Sequence, residues 1–178
     1  MQNGLWVTGG SNPEAGFLET TEIIYVNGTV TPGPTLGFWA FGHCLVEHEG
    51  TIYLLGGKQN GVESNATWIY NATHNFDVKE GASMKQQRIY SACGIMQHSN
   101  AHSGRPLIVI VGSKDVIQNP NVKNCMHSSR TSEYWDFTVP GSTWQYSSKL
   151  SSSFYKPSVG KKCKKKRKWG YGLRPMVQ

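Results

Sequence analysis

No stretch of the chain is apolar for long enough to span a bilayer; the longest aliphatic run, Leu107 to Val111, has the length of a buried strand. Neither a transmembrane helix nor a membrane partner is expected. Charge is scarce at 16% of residues, against 38% hydrophobic. That balance excludes disorder as the general state and suits one globular body. Cysteine is sparse too. Cys44, Cys93, Cys125 and Cys163 stand singly, without the paired spacing of zinc or redox sites. Their expected state is buried thiols, with a Cys93–Cys125 disulfide as the alternative. The first residues, Met1 to Val7, offer neither a basic nor an apolar segment of signal-peptide type, so none is expected there.

The net charge of +7 is local. Seven of the 18 Lys and Arg residues lie between Lys161 and Lys168, and the 11 that remain match the 11 acidic residues. The body is therefore neutral, and no nucleic acid is expected to bind through it. The cluster reads as a non-native tail, a solvated interaction tail or a nuclear-import signal. Its own repulsion predicts that it does not pack on the body.

What is abundant is glycine, with 20 residues, alongside Trp, Tyr, Val, Ile and Thr. These suit short strands and tight turns, which makes the expected class all-β. A repeat of roughly fifty residues runs through the chain. Leu5-Trp6-Val7-Thr8-Gly9-Gly10 returns as Ile52-Tyr53-Leu54-Leu55-Gly56-Gly57, then as Ile108-Val109-Ile110-Val111-Gly112-Ser113. Each is followed by a second element ending in Tyr25, Tyr70 or Trp135, which are expected to align. Phe76 and Trp144 close two of the units, and Cys44-Leu45-Val46 and Cys93-Gly94-Ile95-Met96 supply a strand before the glycines.

An apolar strand ending in Gly-Gly, followed by spaced aromatics, resembles the kelch repeat over about Leu5 to Leu150. The resemblance implies an incomplete kelch-type β-propeller of four-stranded antiparallel blades. The expected organisation is blades over 1–150, a truncated start of a further blade over 151–160 and a basic tail over 161–178. Ser113 in place of the second glycine and two long insertions set the third unit apart, and Phe76 stands in place of Trp in the second. An open arc should leave a bare sheet face at each end, around Trp6, Ile24 and Tyr25 and around Trp135 and Trp144.

Kelch-like propellers present loops to a protein partner, and the implied function is a protein-binding module without catalysis. The loops Ser11 to Thr20, Lys58 to Ser64 and Lys114 to Arg130 offer Asn12, Glu14, Lys58, Asn60, Lys114 and Asp115 as candidate contacts. The alternative is a fragment of a carbohydrate-active or galactose-oxidase-like propeller whose active site lies in missing blades. Gly141-Ser142-Thr143-Trp144 is similar to the end of a sialidase Asp-box, but Val139 stands where its aspartate belongs. No nucleophile elbow, phosphate loop or cofactor motif occurs, and His98 with His102 lacks further ligands for a metal. Sequons at Asn27, Asn65 and Asn71 point towards a glycosylated, secreted parent; a cytoplasmic or nuclear protein is the alternative.

Overall fold

The computed structural model describes residues 4–72, 76–97, 104–116, 126–128 and 131–147. Cys125, Cys163, His98, His102 and the segments 151–160 and 161–178 lie outside them. The described residues are all-β and antiparallel, without a helix.

The chain builds three successive sheets by one plan. In the first, β1 (Gly4–Thr8) is followed by a small hairpin of β2 (Ser11–Asn12) and β3 (Gly16–Phe17), then by β4 (Thr21–Tyr25) and β5 (Val30–Pro32). Strands β1, β4 and β5 form a three-stranded sheet, and β2–β3 stands outside it. The second unit contains β6 (Ala40–Phe41), β7 (Cys44–His48), β8 (Thr51–Leu55), β9 (Lys58–Gln59), β10 (Val62–Glu63), β11 (Thr67–Asn71) and β12 (Asp77–Glu80). Here β7-β8-β11-β12 is a four-stranded meander, and β10-β9-β6 is a separate small sheet. The third unit has β13 (Ala92–Gln97), β14 (Pro106–Val111), β15 (Lys114–Val116), β16 (Met126–Ser128), β17 (Ser132–Trp135) and β18 (Gln145–Tyr146). It repeats the meander as β13-β14-β17-β18, with β15–β16 as its hairpin.

The glycine element fixes this plan. Gly9, Gly56 and Gly112 follow β1, β8 and β14 with φ of 57°, 63° and 74°. Their amides donate to Thr20, Ala66 and Thr131 carbonyls at 3.1, 3.0 and 3.1 Å. A Cβ at Gly9 or Gly56 would stand 2.3 Å from the carbonyl oxygen of Ala40 or Arg88, so only glycine fits where the next segment crosses.

Pairing registers then define equivalent positions. Leu5, Ile52 and Ile108 pair with Ile24, Tyr70 and Trp135. The expected alignment of Tyr25 with Tyr70 and Trp135 is thus off by one in the first unit. The Gly9–Thr20 hydrogen bond, rather than residue spacing, sets the register, and it puts Ile24 in the aromatic's place.

Two cores lie between consecutive sheets because β8 is apolar at every second position on both sides. Ile52, Leu54 and Tyr70 pack with Trp6 towards the first sheet. Tyr53 and Leu55 pack with Ile108, Ile110, Trp135 and Trp144 towards the third. Full burial of Leu54 at 0% exposure contributes about 1.5–3 kcal/mol. The aromatics repeat as well: Tyr70 meets Trp6 edge-on at 5.1 Å, and Trp135 meets Tyr53 edge-on at 6.0 Å.

Cys44 on β7 and Cys93 on β13 form a disulfide, with Cα atoms 6.1 Å apart. This corrects the expectation of thiols or of a Cys93–Cys125 bridge. The first strands of neighbouring sheets lie side by side, which brings together cysteines that the sequence places in different units. The bridge closes a loop across a sequence separation of 49 residues, a constraint worth about 4 kcal/mol against the unfolded chain.

The outward faces also differ from expectation. Trp6, Trp135 and Trp144 are buried between sheets. The side chains left outside on the first sheet are Leu5, Val7, Ile24 and Val30, at 64, 42, 37 and 51% exposure.

Candidate functional site

The hairpins that interrupt each unit carry the candidate loop residues, and their turns explain how. Asn60 and Gly61 take φ of 45° and 88°, the two positive values of a type I′ turn between β9 and β10. Asn60 also brackets the preceding crossover. Its amide donates to the Trp39 carbonyl at 3.0 Å, and its Oδ1 accepts from the Trp39 amide at 3.2 Å.

That bracket holds Trp39 and Phe41, two residues apart and so on one side of an extended segment. Their ring centroids are 6.2 Å apart and their planes nearly parallel, at 3°. Phe17, from the end of β3, stacks over both, at 4.5 Å from Trp39 and 5.1 Å from Phe41. The backbone locks the two loops together: Gly10 N donates to Ala40 O at 2.8 Å, and Ala40 N donates to Leu18 O at 3.2 Å. Phe17 remains 51% exposed, and Tyr90, 53% exposed, extends the group from Phe41 with centroids 6.3 Å apart. The result is a rigid, partly exposed aromatic platform rather than a floppy loop surface.

The residues chosen from sequence lie on the hairpins, and only Lys58 and Asn60 are paired directly with the platform segment. Asn12 Oδ1 accepts the amides of Glu14 at 2.7 Å and Ala15 at 3.3 Å, an Asx-turn that shapes the first hairpin. Glu14 is exposed beside it. Lys58 pairs with Phe41 across β9 and β6. Lys114 and Asp115 lie on β15, opposite Ser128 and His127 of β16. Sequence reading missed Phe17, Trp39, Phe41 and Tyr90. The alternation Trp39-Ala40-Phe41, with a small buried residue between two rings, was the available signal.

The sequons separate by geometry. Asn27 sits in the exposed turn between β4 and β5, its Oδ1 accepting the Thr29 amide at 2.9 Å. Asn65 is half-buried and its Nδ2, the atom a glycan would use, donates to Met84 O at 2.9 Å. Asn71 is held within β11, opposite Asp77 and Thr51.

Buried polar groups lie between the sheets. Arg88 and Glu133 form an ion pair with both side chains at 0% exposure. Arg88 Nε and Nη2 donate to Glu133 Oε1 at 3.0 and 2.8 Å, and Nη1 donates to Gly112 O at 2.7 Å. Glu133 Oε2 accepts the Lys85 amide at 2.6 Å. His43 Nε2 lies 2.6 Å from Thr8 Oγ1, and burial pushes its imidazole down from 6.5 to about 4. Burial likewise raises the Tyr70 phenol to about 12.

Comparison with solved structures finds a likeness to the structure of YjhT, with a TM-score of 0.63 at 15% identity. The match covers 83% of this chain and 53% of that one, so the chain spans about half its length. At this identity the likeness concerns the fold alone. No protein-family model and no curated protein matches the chain.

Proposed function

We propose that the chain is an arc of a kelch-type propeller whose loop face binds a protein partner. The stacked meanders and the equivalent glycines support the propeller reading. The observation that carries the binding reading is the platform of Phe17, Trp39 and Phe41. Large, pre-ordered aromatic rings on an exposed surface supply contact area at little entropic cost, which is why they dominate interface hot spots. Asn12, Glu14, Lys58 and Asn60 then form the polar rim. The Cys44–Cys93 bridge and the open turn at Asn27 support an oxidising compartment and a glycosylated parent.

Capture of partners on the immobilised chain, followed by affinity measurement on the purified partner, tests this. Phe17→Ala should weaken binding at least tenfold while leaving the melting curve in place. Equal affinity for the variant overturns the reading. Loss of binding when the captured partner is deglycosylated would favour the carbohydrate-directed alternative instead.

A further inference from the structure

The turn between β4 and β5 runs Tyr25-Val26-Asn27-Gly28-Thr29, so its sequon follows an aromatic residue by two positions. Gly28 N donates to Tyr25 O at 2.9 Å, Tyr25 N donates to Thr29 O at 2.9 Å, and Gly28 has φ of 84°. This is a three-residue hairpin connection with a left-handed glycine at its bulge. A Cβ at Gly28 would meet nothing within 4 Å, so glycine serves the backbone there and not the packing.

The register decides which side chains share a face. Ile23 pairs with Thr31 and Ile24 with Val30, so the next cross-strand neighbours, Tyr25 and Thr29, stand on the face of Ile23. Asn27 lies between them at the tip, and residues 26–30 are all exposed. Its Oδ1 accepts the Thr29 amide at 2.9 Å, which fixes the plane of the side-chain amide and leaves Nδ2 free for chemistry. Tyr25 is half-buried, and its neighbour on β1 is Gly4. A Cβ at Gly4 would stand 3.4 Å from Cδ1 of Tyr25, so glycine spares the ring a side-chain contact from that strand.

We propose that Asn27 carries an N-linked glycan whose first N-acetylglucosamine lies on the Tyr25 ring, so that the modification clasps the hairpin. In the transfer, Nδ2 forms a bond to C1 of the sugar and gives up one proton to the transferase. The bond from C1 to the oxygen of a polyprenyl pyrophosphate breaks, and the pyrophosphate leaves with the electron pair. Oδ1 still accepts the Thr29 amide in the product, so the turn is undisturbed. The axial C–H bonds on one face of the sugar then meet the electron-rich face of the ring two residues earlier. Neither of the other sequons has this setting. Nδ2 of Asn65 is spent on Met84 O at 2.9 Å and the threonine of its sequon, Thr67, is 0% exposed, while Asn71 is half-buried between β8 and β12. The proposal rests on the oxidising compartment that the Cys44–Cys93 bridge supports, and is independent of the aromatic platform.

The test uses the full chain directed into the secretory pathway of cultured animal cells. Peptide mass mapping should find sugar on Asn27 and none on Asn65 or Asn71. With the glycan trimmed to a single N-acetylglucosamine, the melting midpoint should lie about 2–4 °C above that of the fully deglycosylated chain, the shift expected of one aromatic contact in a chain of this length. Tyr25→Phe should keep this increment and Tyr25→Leu should lose it; where Tyr25→Leu fails to fold, Tyr25→Val takes its place. An unmodified Asn27, a midpoint that the sugar does not raise, or an increment that survives loss of the ring overturns the proposal. Phe17→Ala should leave both occupancy and increment unchanged, which separates this result from failure of the binding platform.

Discussion

The boundary between the first and second sheets and that between the second and third share one geometry but not one chemistry. The later boundary is stapled by the Cys44–Cys93 disulfide and by the Arg88–Glu133 pair, whose polar atoms are met on several sides. The earlier one has neither. At the positions of Arg88 and Glu133 the register places Ala40 and Trp68. It also holds the buried Nε1 of Trp6, OH of Tyr70 and Nδ1 of His43, which lack partners among the described residues. Each such atom costs about 1–3 kcal/mol. Equivalent packing thus yields unequal strength, and the first sheet is the one that opens first.

The sharpest way to break this contrast is Glu133→Ala. It leaves the Arg88 guanidinium buried without its counter-charge and should cost about 3–5 kcal/mol in urea unfolding. Replacing both partners by apolar residues, Arg88→Met with Glu133→Leu, should recover most of that loss. A cost under about 1 kcal/mol for Glu133→Ala would remove the pair from the account of why the later boundary is stronger.

Acid should act on the other boundary. His43 titrates near 4 when folded against 6.5 as its ordinary value, so its contribution is complete above 6.5 and is lost as pH falls through 4. Its full loss is on the order of 3 kcal/mol. Amide exchange in β1, β4 and β5 should accelerate over this window before exchange in β13 and β14 does. His43→Gln should flatten the response. Equal acceleration of both groups of strands would show that the boundaries do not differ in this way.

Much of the fold was legible because Gly-Gly after an apolar strand has a single steric cause, and it recurs at Gly56 as at Gly9. The strands at Cys44 and Cys93 were legible as apolar segments ahead of those glycines, though at different distances from them. What sequence could not carry was register and lateral contact. Ile24 rather than Tyr25 pairs with Leu5 because one hydrogen bond at Thr20 sets the phase. Cys44 reaches Cys93 only because two sheets stack. The loop residues were chosen for polarity, yet Asn12 spends its side chain on its own turn and Asn60 on the amide of Trp39. The exposed platform is aromatic, and polarity alone does not find it.

The smallest expected effect concerns a single indole. Trp144, fully buried, donates its Nε1 to Ala82 O at 2.9 Å and lies 3.3 Å from Thr67 Oγ1. Phe76 packs on Trp6 at the earlier boundary and has no N–H to give. There Thr21, equivalent to Thr67, donates its own hydroxyl to Pro34 O at 2.7 Å. The threonine is therefore a substitute donor wherever the closing aromatic lacks one. Trp144→Phe should cost about 1–2 kcal/mol, since the Thr67 hydroxyl can turn to Ala82 O and keep it satisfied. Thr67→Val should then be nearly silent beside Trp144 but cost about 1 kcal/mol more in the Trp144→Phe background, where it removes the last donor. Equal costs in the two backgrounds, measured by a double-mutant cycle in urea, would mean that the hydroxyl does not take over, and the two boundaries would differ at this position too.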